Sequence, residues 1–122
     1  MAKTVLIVDD SISVRQVVGM ALRGAGYEVV EATDGHDALR KLDGRKIHLV
    51  ISDVNMPQMD GLTLLRHIKA LPAYKFTPVI ILTTETDAAK KLAGQQGGAK
   101  AWVVKPFRPD QLLAAVAKLI LP

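Results

Sequence analysis

The stretch LVISDVNMPQMDG, residues 49–61, passes from an apolar run through an acidic turn to the start of a helix. Leu49 to Ile51 is apolar without interruption, which is typical of a strand that is buried on both faces. Asp60-Gly61 is suited to cap the helix that follows. Apolar residues at helical spacing continue that helix, namely Leu64, Leu65, Ile68 and Leu71. The stretch therefore predicts a strand–loop–helix unit with Asp53 at the carboxyl end of its strand.

The same alternation of strand and helix runs through the whole chain. Five strand-sized apolar runs occur: Val5 to Val8, Val29 and Val30 with their flanks, Leu49 to Ile51, Val79 to Leu82, and Trp102 to Val104. Segments with helical spacing separate them, and such alternation is typical of right-handed crossovers between parallel strands. We predict one α/β domain over residues 1–122, built as a three-layer sandwich around a parallel sheet.

Capping residues predict where several helices begin and end. Gly24 and Gly26 close the first helix, Thr86 or Asp87 begins the fourth, and Pro109 suits the first turn of the fifth. The fourth helix, Asp87 to Gln96, is the weakest element. Its inner face is expected to be small, consisting of Ala88, Ala89, Leu92 and Ala93.

Composition limits the class of protein. At 122 residues, with 49% apolar and 23% charged residues, one domain buries a sizeable core. The chain has no cysteine, which is consistent with the reducing cytoplasm, where we expect the protein to act. Its net charge of +4 is spread along the chain and aromatics are few, so no nucleic-acid partner is expected. The apolar run Thr4 to Val8 is too short for a membrane span.

Polar residues follow the carboxyl ends of the predicted strands, where open parallel sheets bind ligands. Asp9 and Asp10 follow the first strand, Asp53 the third, Thr83 the fourth and Lys105 the fifth. Gathered carboxylates repel one another, by about 4 kcal/mol per pair at 4 Å and an effective dielectric near 20, so they need a cation. Oxygen ligands suit Mg²⁺.

The remaining residues at these strand ends suit phosphoryl transfer. Lys105 can neutralise phosphate oxygens, and the Thr83 hydroxyl can donate to them, which leaves Asp53 as the nucleophile. Thr84 could compete for the hydroxyl role, but alternation along a strand sends its side chain to the opposite face.

In these residues the chain resembles the response-regulator receiver family, and most of all its stand-alone chemotaxis regulators. The resemblance spans the whole chain and rests on Val8-Asp9-Asp10, on Asp53 to Gly61 and on Val104-Lys105-Pro106-Phe107. It implies a flavodoxin-like, doubly wound fold of five βα units with strand order 2-1-3-4-5. It also implies a cis peptide between Lys105 and Pro106.

The resemblance assigns roles to the site residues. Asp53 is the phosphoacceptor, and Lys105 and Thr83 bind the phosphoryl group. Mg²⁺ is held by Asp10, by Asp53 and by the backbone carbonyl of Asn55, while Asp9 acts largely through water. Such a protein assists its own phosphorylation and dephosphorylation, so it is not an enzyme in the turnover sense.

The resemblance also implies a switch. Phosphorylation draws Thr83 toward the phosphate, and an aromatic residue on the fifth strand turns inward. Here that residue is Trp102, which departs from the more usual tyrosine or phenylalanine. Asn55 and Glu85 flank the path of water to the acyl phosphate and are expected to set its lifetime.

The implied partners are proteins. A sensor histidine kinase or phosphotransfer protein is the expected donor, and the face formed by the fourth helix, fifth strand and fifth helix is expected to bind the target. Lys90, Lys91 and Lys100 lie on or near that face, which favours an acidic patch on the target.

Three other interpretations stay open or are disfavoured. A receiver fragment of a longer regulator with an output domain would look the same, although an end at Pro122 favours a stand-alone protein. Aspartate-nucleophile phosphohydrolases resemble this site, but they carry a second aspartate where this chain has Asn55. A flavodoxin-type nucleotide module would need a glycine- or serine-rich phosphate loop in place of Asp9-Asp10-Ser11.

Overall fold

The structure is a computed structural model that describes residues 2–120. Within that range five strands and five helices alternate: β1 (Thr4–Val8), α1 (Ile12–Gly24), β2 (Glu28–Ala32), α2 (Gly35–Lys41), β3 (Leu49–Ser52), α3 (Gly61–Ala70), β4 (Val79–Thr83), α4 (Ala88–Gln96), β5 (Ala101–Val104) and α5 (Pro109–Leu119). All neighbouring strands pair in parallel, in the order β2-β1-β3-β4-β5. The predicted flavodoxin-like α/β fold and strand order are confirmed. Pro122 lies outside the described residues.

The sheet forms the middle of three layers. Helices α1 and α5 cover one face, where Val18 and Leu22 pack with Leu112 and Val116. Helices α2 and α3 cover the other face, where the core residues include Ala38, Leu64, Leu65 and Ile68. No helix in this described part of the chain is long and apolar enough to cross a membrane.

The strands differ in how deeply they lie. β3 and β4 are buried along their whole length, as their uninterrupted apolar sequences predicted. The two edge strands are more exposed: β2 is buried only at Ala32, and β5 has no fully buried residue. The inference from an apolar run to burial on both faces, drawn above for Leu49 to Ile51, therefore does not extend to β2 and β5, which lie at the two edges of the sheet.

Polar side chains fix the starts of four helices. Ser11, Asp34, Asp60 and Asp87 each accept a hydrogen bond from a backbone N–H in the first turn of α1, α2, α3 and α4. Asp87 rather than Thr86 therefore begins the fourth helix. Pro109 opens α5 without a side-chain cap, as its position predicted. After α1, Gly26 has φ +94°, a conformation that favours glycine.

Helix α4 packs differently from the prediction. The four residues expected on its inner face, Ala88, Ala89, Leu92 and Ala93, are all exposed, and Gly94 is its one buried residue. A Cβ atom on Gly94 would lie 3.0 Å from Cζ3 of Trp102. The indole thus occupies the room beside the glycine, and this bulk orients the helix. The predicted inner face was wrong, and α4 is attached even more lightly than expected.

Candidate functional site

Backbone hydrogen bonds carry the sheet one residue beyond the strands and so position the site. The N–H of Asp53 donates to the carbonyl of Val8 (3.0 Å), and that of Lys105 donates to the carbonyl of Thr83 (2.8 Å). The N–H of Asp9 donates to the carbonyl of Ala32, the last residue of β2 (3.2 Å). Since the strands are parallel, all three side chains emerge at the same edge of the sheet.

Lys105 joins two of the acids. Its Nζ lies 2.8 Å from Oδ2 of Asp9 and 3.1 Å from Oδ2 of Asp53. All three side chains are largely buried. The other oxygen of Asp53, Oδ1, accepts the backbone N–H groups of Val54 (2.7 Å) and Asn55 (3.3 Å). The Asp53 carboxylate is therefore held in one orientation. The peptide bond between Lys105 and Pro106 is cis, as the resemblance implied.

The acids and the lysine affect one another's protonation. Burial raises the pKa of Asp9, and the hydrogen bonds from Lys105 and from the N–H of Ser11 offset this only in part. Burial would lower the pKa of Lys105, but the carboxylates of Asp9 and Asp53 outweigh it and raise that pKa. Lys105 is accordingly a cation at neutral pH. The raised pKa of Asp9 means that Lys105 compensates the negative charge of this carboxylate only in part.

Asp10 completes an acidic cluster. Carboxylate oxygens of Asp9, Asp10 and Asp53 all lie within 4.8 Å of one another, and Asp10 is the exposed member. Three carboxylates beside one ammonium carry a formal charge of −2. A divalent cation matches that charge, and an all-oxygen donor set suits Mg²⁺. The residues present thus fit the predicted metal.

A second cluster centres on Glu85, in the loop between β4 and α4. Its backbone N–H donates to Oγ1 of Thr83 (3.1 Å), and its carbonyl accepts the indole Nε1–H of Trp102 (3.2 Å). Its carboxylate accepts from Nζ of Lys90 (2.9 Å) and from the N–H of Asp87 (3.2 Å). The two residues predicted to switch, Thr83 and Trp102, therefore meet through the backbone of one residue.

Glu85 also lies beside Asn55, its predicted counterpart at the phosphate. Hydrogen bonds from Lys90 and from the N–H of Asp87 hold the pKa of Glu85 below its usual range, and the nearby Asn55 side chain adds to this effect. Glu85 is therefore an anion at neutral pH, and it is fixed at the side of the site from which α4 begins.

Thr83 and Thr84 separate as strand alternation predicted. Thr83 is fully buried and Thr84 is exposed. The Thr83 hydroxyl contacts the N–H of Glu85 and makes no hydrogen bond to the Asp53 carboxylate. The structure therefore brings together Asp9, Asp10, Asp53 and Lys105, with Thr83 in the adjoining cluster.

Sequence reasoning missed three residues that shape the site. Lys90 was interpreted only as a surface charge, and no helical spacing links it to Glu85, which precedes the helix. Gly61 was interpreted as part of a cap, yet it stands against the backbone of Asp53. Gly94 makes room for the Trp102 indole. Close approaches of this kind leave no pattern in a single sequence.

Comparison with known proteins settles the family. The profile of the response regulator receiver domain matches residues 5–117. The chain belongs to the response regulator receiver family. As a receiver domain it is a signalling module of two-component systems.

The receiver domain is similar to chemotaxis regulators over nearly all of its length. The structure of the chemotaxis protein CheY4 of Vibrio cholerae is 46% identical, with a TM-score of 0.92, and the match covers 98% of this chain and 99% of that one. The chemotaxis protein CheY1 of Helicobacter pylori strain J99 is 38% identical over 88% of each chain.

The receiver domain is also similar to part of a longer protein. It is 38% identical over 97% of its length to the probable transcriptional regulator ycf27 of Cyanophora paradoxa, and the match covers 48% of that protein. The receiver domain thus spans about half the length of that relative.

Proposed function

We propose that this receiver domain accepts a phosphoryl group on Asp53 from a phosphohistidine of a sensor histidine kinase or phosphotransfer protein. The observation that carries the proposal is the contact of the Lys105 ammonium with both Asp9 and Asp53, at 2.8 and 3.1 Å, beside the carboxylate of Asp10. A nucleophile, a cation for phosphate oxygens and a candidate metal site thereby lie within one small edge of the sheet.

The chain's residues divide the work of the transfer. A carboxylate oxygen of Asp53 forms a bond to phosphorus while the phosphorus–nitrogen bond of the donor breaks. The donor imidazole keeps the bonding electron pair and takes up a proton. Lys105 neutralises a phosphoryl oxygen, and the N–H groups of Val54 and Asn55 keep Asp53 oriented.

Mg²⁺ would be held by the side chains of Asp10 and Asp53 and by the backbone carbonyl of Asn55, with Asp9 acting through water. When bound, it supplies positive charge to the phosphoryl oxygens. The charge balance of the acidic cluster supports this choice, because Lys105 leaves about two negative charges uncompensated.

The switch is proposed to run through the Glu85 backbone. The phosphoryl group adds charge and acceptor oxygens next to Thr83. Movement of Thr83 toward it would weaken the hydrogen bond from the N–H of Glu85, and the carbonyl of Glu85 holds the Trp102 indole. A change at Asp53 would thus reach the surface formed by α4, β5 and α5, where a protein target binds.

A chemotaxis type of signal is supported by the similarity to CheY4 and CheY1 over almost the full length of each. Lys90, Lys91 and Lys100 are exposed on or near the proposed target face, and they favour an acidic patch on the target.

A receiver that serves an output domain in a longer regulator is the second candidate. The half-length match to a probable transcriptional regulator favours it. The chemistry at Asp53 would be the same, and the surface of α4, β5 and α5 would contact the output domain. A phosphohydrolase is disfavoured, because Asn55 stands where those enzymes carry their second aspartate.

Intact mass tests the proposed function. The protein is incubated with a small acyl-phosphate donor and Mg²⁺, beside an Asp53→Asn variant and a metal-free sample. We expect the mass of one phosphoryl group to appear only when Asp53 and Mg²⁺ are both present. The absence of any gain, under conditions in which Mg²⁺ demonstrably binds, would refute phosphoryl transfer.

A further inference from the structure

Lys90 fixes the Glu85 side chain from the first turn of α4. The Lys90 Nζ lies 2.9 Å from Glu85 Oε1, while the N–H of Asp87 donates to Oε2 at 3.2 Å. Both carboxylate oxygens are therefore engaged by the start of one helix. The Glu85 side chain is 19% exposed, whereas that of Lys90 is 48% exposed.

The position of Glu85 gives this contact a consequence for the site. Its backbone N–H is bonded to Thr83 and its carbonyl to Trp102, so the carbonyl bond still anchors the backbone when Thr83 moves toward the phosphate. The position of the side chain is set separately, by Lys90 and the N–H of Asp87. With Lys90 and Asp87 in place, the carboxylate stays near Asn55, whose backbone N–H donates to Oδ1 of Asp53 at 3.3 Å.

We propose that Lys90 is a positioning residue that slows hydrolysis of the aspartyl phosphate by holding Glu85 in the path of water. The proposal rests on the proposed function of Asp53. In the hydrolysis, a water oxygen forms a bond to phosphorus and the bond from phosphorus to the Asp53 oxygen breaks. The Asp53 carboxylate keeps the electron pair, and inorganic phosphate leaves with the protons of the water.

Lys90 carries this effect because it belongs to α4. The helix buries only Gly94, so a displacement of α4 draws Lys90 away from Glu85 without disrupting the core. The lifetime of the phosphate thereby depends on the position of the helix that forms part of the proposed target surface.

Lys91 provides a matched control. It has the same side chain, follows Lys90 directly and is exposed, but within residues 2–120 it forms no ion pair with a carboxylate. Replacing it changes the net charge of α4 by the same amount and leaves Glu85 fixed.

The test compares rates of phosphate loss. Each variant is loaded with an acyl-phosphate donor and Mg²⁺, the donor is removed, and the loss of one phosphoryl group is followed by intact mass. We expect Lys90→Met to lose phosphate about two to five times faster than the parent, as an exposed ion pair allows. Lys90→Arg and Lys91→Met should keep the parental rate.

Two further measurements separate positioning from a structural role. Higher ionic strength should accelerate loss from the parent and leave Lys90→Met unchanged, because salt screens an exposed ion pair. In a Glu85→Gln background, Lys90→Met should have little further effect on the rate.

The outcomes are distinguishable. Unchanged or slower loss from a phosphorylated Lys90→Met variant would overturn the role of Lys90 and leave the proposed function standing. Equal acceleration in the Glu85→Gln background would also overturn it. A parent protein that takes up no phosphate would overturn the proposed function and this proposal together.

Discussion

Gly61 stands directly against the backbone of Asp53. A Cβ atom on Gly61 would lie 2.8 Å from the carbonyl carbon of Asp53, and closer still to its carbonyl oxygen. The N–H of Gly61 donates to the carbonyl of Val54 at 2.8 Å. The first residue of α3 is thus packed on the peptide that presents the proposed phosphoacceptor, and only glycine leaves room for this approach.

Gly61→Ala is expected to destabilise the fold and to impair phosphorylation together. Overpacking against backbone costs about 1–3 kcal/mol, and here the backbone that must yield carries Asp53. Urea denaturation and acyl-phosphate loading measure the two effects. Gly24→Ala is the control, because nothing lies within 4 Å of its Cβ position. Parental stability and loading in Gly61→Ala would show that this close approach is not required.

Asp10→Asn is expected to weaken Mg²⁺ binding without unfolding the protein. Asp10 is the exposed member of the acidic cluster, so its replacement removes a metal ligand and also one repulsive charge. At a concentration of a hundred times Kd, Mg²⁺ should stabilise the parent by about 2.7 kcal/mol, and the variant by much less.

Thermal denaturation with and without Mg²⁺ measures this difference. Asp110→Asn serves as the control, because Asp110 is an exposed acid in the first turn of α5. Equal stabilisation of parent and Asp10→Asn by Mg²⁺ would remove Asp10 from the ligand set.

Phosphorylation is expected to shift the fluorescence of Trp102, which is the chain's single tryptophan. The indole is partly buried beside Gly94, and further inward movement should move its emission to shorter wavelength. Asp53→Asn should show no shift on addition of donor and Mg²⁺. Gly94→Ala should move the emission to longer wavelength, because a Cβ at position 94 would lie 3.0 Å from the indole ring and push it outward. An emission wavelength that does not change on phosphorylation would exclude Trp102 from the switch.

The stability of the fold should depend on pH through Asp37 in α2. Burial acts to raise the pKa of Asp37, but the N–H of Thr33 together with Lys41 and Arg40 outweighs it and lowers that pKa. Since the folded pKa lies below the unfolded one, the contribution of Asp37 is present above the unfolded pKa, and it is lost as pH falls through the folded pKa.

Asp37→Asn should therefore lower the free energy of unfolding at neutral pH. The loss should be up to about 1 kcal/mol, as expected for ion pairs at the surface such as those of Asp37 with Arg40 and Lys41. In strong acid, below both pKa values, parent and variant should unfold at the same denaturant concentration. A difference that persists unchanged in acid would mean that Asp37 acts through packing or hydrogen bonding and not through its charge.

The sequence was sufficient to predict the site residues that lie directly after the ends of strands. Asp9, Asp53 and Lys105 come directly after apolar strands, and a parallel sheet must bring such residues to one edge. Helix starts at Asp60 and Asp87 were predictable for a similar reason, because a capping side chain acts on its own first turn.

Contacts that depend on loop conformation and on small residues could not be predicted. The pairing of Lys90 with Glu85 depends on the turn between β4 and α4, for which a single sequence has no periodic pattern. The face of α4 depends on which small residue meets the Trp102 indole, and the sequence offered alanines as plausibly as Gly94. Apolar spacing orients a helix only where large side chains mark one face.

The light attachment of α4 has a consequence for how such a protein diverges. Four of its residues, Ala88, Ala89, Leu92 and Ala93, are exposed on the proposed target surface, so substitutions there would change what that surface recognises at little cost to the free energy of folding. Copies of this gene could acquire new targets through these positions while the chemistry at Asp53 stays the same. Substitutions in α4 would therefore allow a change of target protein during evolution while the amount of folded protein in the cell stays the same.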